Sequence, residues 1–120
     1  RVISEKASLQ MVEILKSVVK TGTGKKAALD GFDAAGKTGT AQKYNMETRS
    51  YSSTEFISSF IGFAPADSPR LVILVMIDNP KRVHWGSVVA APVFREIAKK
   101  SLRYLNVPSS KERVFILDRA

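Results

Sequence analysis

The sequence predicts an α+β fold: an antiparallel sheet covered on one face by an N-terminal and a C-terminal helix. Three observations carry this expectation. Apolar residues recur at helical spacing near the start, three strand-like runs follow, and a second amphipathic stretch begins after Pro92. The strand-to-strand connections are too short for crossover helices, so the pairing should be antiparallel.

Ser4 stands as an N-cap, and Leu9, Val12, Leu15 and Val19 then repeat at helical spacing. Residues 5–20 read as one amphipathic helix, ended by Thr21-Gly22-Thr23-Gly24. A basic turn follows at Lys25 and Lys26, and residues 30–35 are too interrupted by Gly31 and Asp33 to assign. Residues 36–44 carry Thr38, Thr40 and Tyr44 with little helical pattern, which favours a strand. The polar stretch 45–53 reads as a loop. Residues 56–64 are aromatic and apolar and form a second strand that stops at Pro65, with Gly62 marking a bulge or a close backbone approach.

After a turn at 66–69, residues 71–77 are a continuous aliphatic run between Pro69 and Pro80. That is the pattern of a central strand buried on both faces. Beyond the turn His84-Trp85-Gly86, Phe94, Ala98, Leu102 and Leu105 line one face of a second helix, with Arg95, Lys99 and Arg103 on the other. Pro92 belongs in its first turn, where a missing N–H costs little, and Pro108 ends it. Residues 114–117 are apolar but short and fit a tag remnant, an added strand or a docking segment. Three strands, one of them buried on both faces, make an incomplete sheet. Something else should pair beside residues 71–77.

The chain's 120 residues hold one domain at most. Its 44% hydrophobic and 25% charged content excludes a disordered tail or a fibrous repeat. The longest apolar run, 71–77, is far short of the roughly 20 residues that span a membrane, and no signal peptide is visible. The absence of cysteine excludes disulfides, thiolate metal sites and cysteine nucleophiles. Nineteen basic against eleven acidic residues give +8, which suits an anionic partner such as nucleic acid, acidic lipid or a polyanionic polymer. The basic residues are scattered, however, and no recognition motif or run of aromatics accompanies them, so nucleic acid is not expected.

Two motifs compete for the same residues. Gly31-Phe32-Asp33-Ala34-Ala35-Gly36-Lys37-Thr38 satisfies the phosphate-cradling pattern G-x-x-x-x-G-K-[ST], and the aliphatic run ending at Asp78 resembles the strand that accompanies it. That chemistry needs a buried strand before the loop and a helix launched at the lysine. Residues 25–30 form no such strand, and Gly39 weakens any helix there by roughly 1 kcal/mol.

The alternative takes Lys37-Thr38-Gly39-Thr40 as a strand. K-T-G is one of three elements of serine β-lactamases and penicillin-binding proteins, beside S-x-x-K and S-x-N-type elements. Strand alternation puts Lys37 and Gly39 on one face and Thr38 and Thr40 on the other. A cation at Lys37 favours anionic charge in an acyl-transfer site, and Gly39 lets a substrate backbone lie against the strand. The threonine hydroxyls can bind a carboxylate, and an N–H just beyond Gly39 can serve an oxyanion hole.

The surrounding residues add to that reading. Val2-Ile3-Ser4-Glu5, Thr21-Gly22-Thr23-Gly24-Lys25-Lys26-Ala27 and Ala35-Gly36-Lys37-Thr38-Gly39-Thr40-Ala41-Gln42-Lys43 resemble class B penicillin-binding proteins, the D,D-transpeptidases that cross-link peptidoglycan in division or elongation. The likeness continues through Ser59-Phe60-Ile61-Gly62-Phe63-Ala64-Pro65-Ala66, residues 75–80 and Val89-Ala90-Ala91-Pro92-Val93-Phe94. It covers residues 1–107, as the C-terminal part of a transpeptidase domain, and leaves a tail, 108–120, without a counterpart. One departure is Gly86-Ser87, where relatives often show two glycines.

The resemblance implies that the three strands belong to a five-stranded antiparallel sheet, with both terminal helices on one face. It implies that Lys37 and Thr40 are catalytic, that Thr38, Gly39 and Thr40 bind substrate, and that the Thr40 N–H is one donor of the oxyanion hole. The acyl donor adds to this strand as an antiparallel edge. Implied partners are peptidoglycan stem peptides, β-lactam antibiotics and a complementary chain or segment carrying S-x-x-K and S-x-N, with no cofactor or metal. The implied location is the extracytoplasmic face of the bacterial membrane, with an anchor outside this sequence.

Ser17-Val18-Val19-Lys20 is formally an S-x-x-K, and residues three apart share a helix face. In the family, though, the nucleophile lies far upstream of K-T-G with S-x-N between them, and no S-x-N occurs here. It reads as a chance surface match, so the chain alone is expected to be inactive. His84 is the only histidine, which leaves a metal cluster or a Ser-His-Asp triad unsupported. It reads as lining a loop that Trp85 anchors beneath the last helix or extends to a cleft edge. Asp78 and Asn79 read as turn chemistry before Pro80. Glu5, Glu13, Glu47 and Glu55 show no pairing for glycosidase work. Residues 44–51 should flank the cleft. Acyl transfer, nucleotide binding and a non-catalytic wall-binding role are the functions in play.

Overall fold

The structure is a computed structural model and describes residues 2–109. The apolar run 114–117 lies outside them. Helix α1 spans Glu5–Lys20, and a single 3-10 turn follows at Lys25–Ala27. Strands β1, Ala35–Asn45, β2, Ser50–Ala64, and β3, Leu71–Asp78, come next, then a one-turn helix α2, Gly86–Val89, and helix α3, Ala91–Tyr104.

Helix α1 has the bounds its sequence pattern predicts. Ser4 is extended and its hydroxyl accepts the Ala7 N–H at 3.2 Å, satisfying one of the orphan donors of the first turn. Glu5 at the start and Lys20 at the end both suit the helix dipole. At the other end, the Gly22 and Gly24 N–H groups return to the Val18 carbonyl and turn the chain toward β1. Helix α3 carries Pro92 in its first turn, as expected, and buries Ala91, Phe94, Ala98 and Leu102.

The sheet is antiparallel in the order β1-β2-β3, with Thr38 opposite Phe60 and Phe60 opposite Val75. The face carrying Phe60 and Val75 packs under the helices. Phe60 and Phe94 are fully buried, with ring centroids 4.8 Å apart, and Leu102, Ala98, Ala64 and Ala27 close around them. Gly62 is a close approach rather than a bulge. A Cβ there would stand 2.8 Å from the Ala35 carbonyl oxygen and 2.9 Å from the Phe94 ring.

Two features differ from the sequence expectation, and a third goes beyond it. β2 is the middle strand, and β3 lies at the edge of the described sheet. Val72, Leu74 and Met76 are 72%, 56% and 60% exposed, while Val75 between them is buried. The run 71–77 is therefore not buried on both faces among the described residues, because the helices cover one face only. Residues 50–53 belong to β2 rather than to a loop, since a hairpin arm exposed on both sides needs no apolar alternation. The register also breaks between Gln42 and Tyr44: Gln42 faces Phe56, but Tyr44 faces Tyr51. The extra β2 residues bulge within the strand, where the Ser52 hydroxyl accepts the N–H groups of Thr54 and Glu55.

Candidate active site

The stretch 31–38 does not form a phosphate cradle. Gly36, Lys37 and Thr38 lie inside β1, and no helix starts at the lysine. Gly31 has φ +83° in a turn closed by a bridge between Leu29 and Phe32. A strand directs successive N–H groups to opposite edges, so it cannot converge several of them on one phosphate.

β1 pairs with β2 along one edge, and among the described residues nothing pairs with the other. Thr38 and Thr40 fall opposite Phe60 and Ser58, on the helix-covered face, while Lys37 and Gly39 fall opposite Ile61 and Ser59 on the other. The alternation expected from the sequence is thus present in the register. The Lys37 ammonium is exposed and folds back on its own strand, donating to the Thr38 carbonyl at 2.9 Å and to Thr38 Oγ1 at 3.3 Å. The Thr38 hydroxyl also meets that of Thr23 at 3.1 Å. Thr40 Oγ1 accepts the Gly86 N–H at 3.3 Å. A Cβ on Gly39 would stand 2.5 Å from the Ser59 hydroxyl, so the Ser59 side chain occupies the space beside Gly39 on that face.

The other sequence candidates do not gather around Lys37. Ser17 Oγ donates to the Ile14 carbonyl at 2.6 Å, and Lys20 pairs with Asp33 at 3.3 Å. Each is engaged elsewhere, so Ser17 and Lys20 do not form a nucleophile pair. The His84 ring stacks on Phe56, with centroids 4.0 Å apart and planes 10° apart, and its carbonyl accepts the Ser58 hydroxyl. Trp85 is 57% exposed and leans on His84 rather than anchoring beneath α3. Asn79 adopts a left-handed turn at φ 49°, and Asp78 pairs with Lys43 at 3.0 Å, holding that lysine's pKa above its ordinary value mainly through the hydrogen bond. The acids Glu5 and Glu13 stand on α1, Glu47 beyond β1 and Glu55 on β2, so no two form a catalytic pair. Tyr44 and Tyr51 meet edge to face at 5.3 Å in the outer hairpin. Among the described residues, no three His, Cys, Asp or Glu side chains converge as a metal site requires.

Sequence reasoning assigned no role to Thr23, Ser58 or Gly86, all of which touch the residues 38–40 or their neighbours. The glycines around Thr23 signalled only a helix end. Nothing local in the sequence marks Ser58 as buried. Two concave surfaces lie away from this strand. One of about 410 Å³ is lined by Leu71, Lys100, Ser101, Tyr104 and Leu105, and one of about 600 Å³ by Leu9, Gln10, Glu13 and Ile14. No described helix is long and apolar enough to cross a membrane.

Comparison with known proteins places these elements in context. The family model described as "Penicillin binding protein transpeptidase domain" matches residues 1–99. Stage V sporulation protein D of Bacillus subtilis is 46% identical over 115 residues, which is 95% of this chain and 18% of that protein. A probable peptidoglycan D,D-transpeptidase, PenA, of Neisseria flavescens is 42% identical over 92% of this chain and 28% of its own length. Among solved structures, penicillin-binding protein 3 of Mycobacterium tuberculosis in complex with ampicillin superposes with a TM-score of 0.81 at 39% identity. That match covers 92% of this chain and 26% of the other. The chain thus spans less than a third of each of these proteins.

Proposed function

The chain belongs to the penicillin-binding protein transpeptidase-domain family, and from that premise we propose that β1 is one wall of a peptidoglycan D,D-transpeptidase site. The observation that carries this reading is the Lys37-Thr38-Gly39-Thr40 segment, extended along an open sheet edge with Lys37 and the two threonines alternating in the register. A donor stem peptide, or the β-lactam that mimics it, adds to this edge as a further strand. The Thr38 and Thr40 hydroxyls hold its carboxylate. Lys37 favours the charge that develops when a serine attacks the carbonyl.

The Thr38 carbonyl engages the Lys37 ammonium, which supports its pointing to the open edge. Residues two apart direct their backbone groups to the same edge, so the Thr40 N–H faces the cleft as an oxyanion donor. Loss of one such donor typically costs about 10²–10³ in rate.

The serine and its general base come from a chain or segment outside these 120 residues, so this chain alone does not react with penicillin. The working protein acts on the extracytoplasmic side of the membrane and takes peptidoglycan stem peptides and β-lactams; for the β-lactams, the ampicillin complex of the Mycobacterium relative supports the reading. Labelling of the complete protein by fluorescent penicillin tests the reading. Lys37→Ala abolishes or greatly reduces labelling while the melting temperature holds. Undiminished labelling of a folded Lys37→Ala protein overturns it.

A further inference from the structure

Among the described residues, Ser58 is the buried polar side chain, with no measurable exposure. It sits directly opposite Thr40 in the β1–β2 register, on the helix-covered face. Its hydroxyl donates to the carbonyl of His84, at the start of the turn that leads into α2. Two residues on, Gly86 lies flat on the hairpin. A Cβ there would collide with the Ser59 carbonyl oxygen and stand 2.7 Å from that of Gly39. The Gly86 N–H then donates to Thr40 Oγ1 at 3.3 Å. The His84 ring also stacks on Phe56, two residues from Ser58 on the same face of β2.

The chemistry of this contact is directional. A backbone N–H can only donate, so Thr40 Oγ1 receives that bond in a lone pair and keeps its own proton for another acceptor. A hydroxyl fixed in this way is a donor, which is the polarity an anionic carboxylate requires. Free of Gly86, the hydroxyl would rotate among its rotamers and lose part of that interaction to ordering entropy.

We infer that Ser58 is a positioning residue: through His84 it seats the 84–86 turn so that Gly86 fixes Thr40 as a hydrogen-bond donor to the substrate carboxylate. The inference rests on the reading of residues 37–40 as the substrate strand. A hydroxyl that only satisfied a buried carbonyl would affect folding and leave the choice between acylating agents untouched.

The test uses the complete protein and compares the acylation rate constants for penicillin and for its methyl ester, which lacks the carboxylate. Ser58→Ala lowers the rate with penicillin about tenfold, the scale of a weakened bond to a charged group, and leaves the ester rate nearly unchanged. In a Thr40→Val background, Ser58→Ala brings no further loss. Ser58→Cys, a weaker donor of similar size, gives an intermediate penicillin-to-ester ratio and serves as the readout if the alanine variant folds poorly. An equal fall with both agents, additive losses in the double variant, or an unmoved ratio in a labelled protein overturns the inference alone. A wild-type protein that penicillin does not label overturns the functional reading itself.

Discussion

Replacing Gly86 by alanine is the sharpest single perturbation of this arrangement. The added methyl would stand 2.7 Å from the Gly39 carbonyl oxygen and closer still to that of Ser59. Ordinary van der Waals separation is about 3.5 Å, so the turn must lift by something on the order of 1 Å. Both obstructing atoms belong to the backbone of a paired hairpin and cannot rotate away. Overpacking of this kind costs roughly 1–3 kcal/mol. Alanine's helix propensity works in the opposite direction, by about 1 kcal/mol in a helix interior. It acts here only at the first position of a four-residue helix, so the clash wins.

The net loss of about 1–2 kcal/mol should lower the melting temperature by about 2–4 °C per kcal/mol in a domain of 150–250 residues. The Gly86 to Thr40 bond, already 3.3 Å long, does not survive such a lift, so acylation by penicillin falls about tenfold as well. Differential scanning calorimetry and stopped-flow acylation of the complete protein read the two effects. A Gly86→Ala protein that melts and reacts like the wild type would show that the turn does not bear on the strand.

Phe94→Ala removes a fully buried ring from against Phe60 and should cost about 3–5 kcal/mol in urea unfolding, whereas a loss below about 1 kcal/mol would place the core elsewhere. Lys16 ties α1 to the loops flanking the sheet through Asp67 at 3.0 Å and Asp33 at 3.4 Å and pairs within the helix with Glu13 at 3.2 Å, and the Asp67 and Glu13 hydrogen bonds hold its pKa above the ordinary 10.5. A lysine with a raised folded pKa stabilises fully below its unfolded value and loses that contribution as pH climbs through the folded one. From neutral pH upward, the melting-temperature gap between wild type and Lys16→Met should therefore stay constant to about pH 10 and narrow only above it; a gap that closes between about pH 7 and pH 9 would refute the assignment. Leu74 is 56% exposed here on the face that carries Lys37. If the nucleophile-bearing portion covers that face in the complete protein, Leu74→Lys costs several kcal/mol, while a change within about 0.5 kcal/mol would mean the face stays in water.

What the sequence made legible follows from what local patterns encode. Helix α1 was readable to the residue because a serine cap, a helical repeat and a glycine pair all mark the same segment. The edges of β1 and β3 came within a residue for the same kind of reason, β-formers bounded by turn residues. The position of β3 was not readable. A run of seven aliphatic residues says that a strand can be buried on both faces, but what covers it is a tertiary fact. The outer arm of the hairpin was missed because residues 50–53 are polar on both sides, and the register break at Gln42 leaves no trace in composition. Of the candidate site, the motif strand was visible from four residues. Thr23, Ser58 and Gly86 were not, because each acts across a long sequence separation: Thr23 on Thr38, Gly86 on Thr40, and Ser58 on His84.

The division of labour along β1 explains why an extended strand, rather than a loop, suits this chemistry. Alternation puts the hydroxyls of Thr38 and Thr40 against the helix-covered side, where Thr23 and Gly86 meet them. The same alternation sends Lys37 to the opposite face, beside Ile61 and the exposed residues of β3. The edge between the faces has no paired strand among the described residues. A peptide pairing there would meet the threonine hydroxyls on one side, while the Lys37 ammonium, which rests on the Thr38 carbonyl and hydroxyl at that edge, would have to swing away to admit it. A loop would need separate constraints for each group; the strand needs only its register with β2, fixed in turn by the Gly36–Gly62 pair, where a side chain on Gly36 would come within 2.6 Å of the Ile61 carbonyl oxygen. The precision of the site thus derives from the packing of Phe60 and Phe94 behind it, and damage to that core should reach Lys37 and Thr40 through the strand itself.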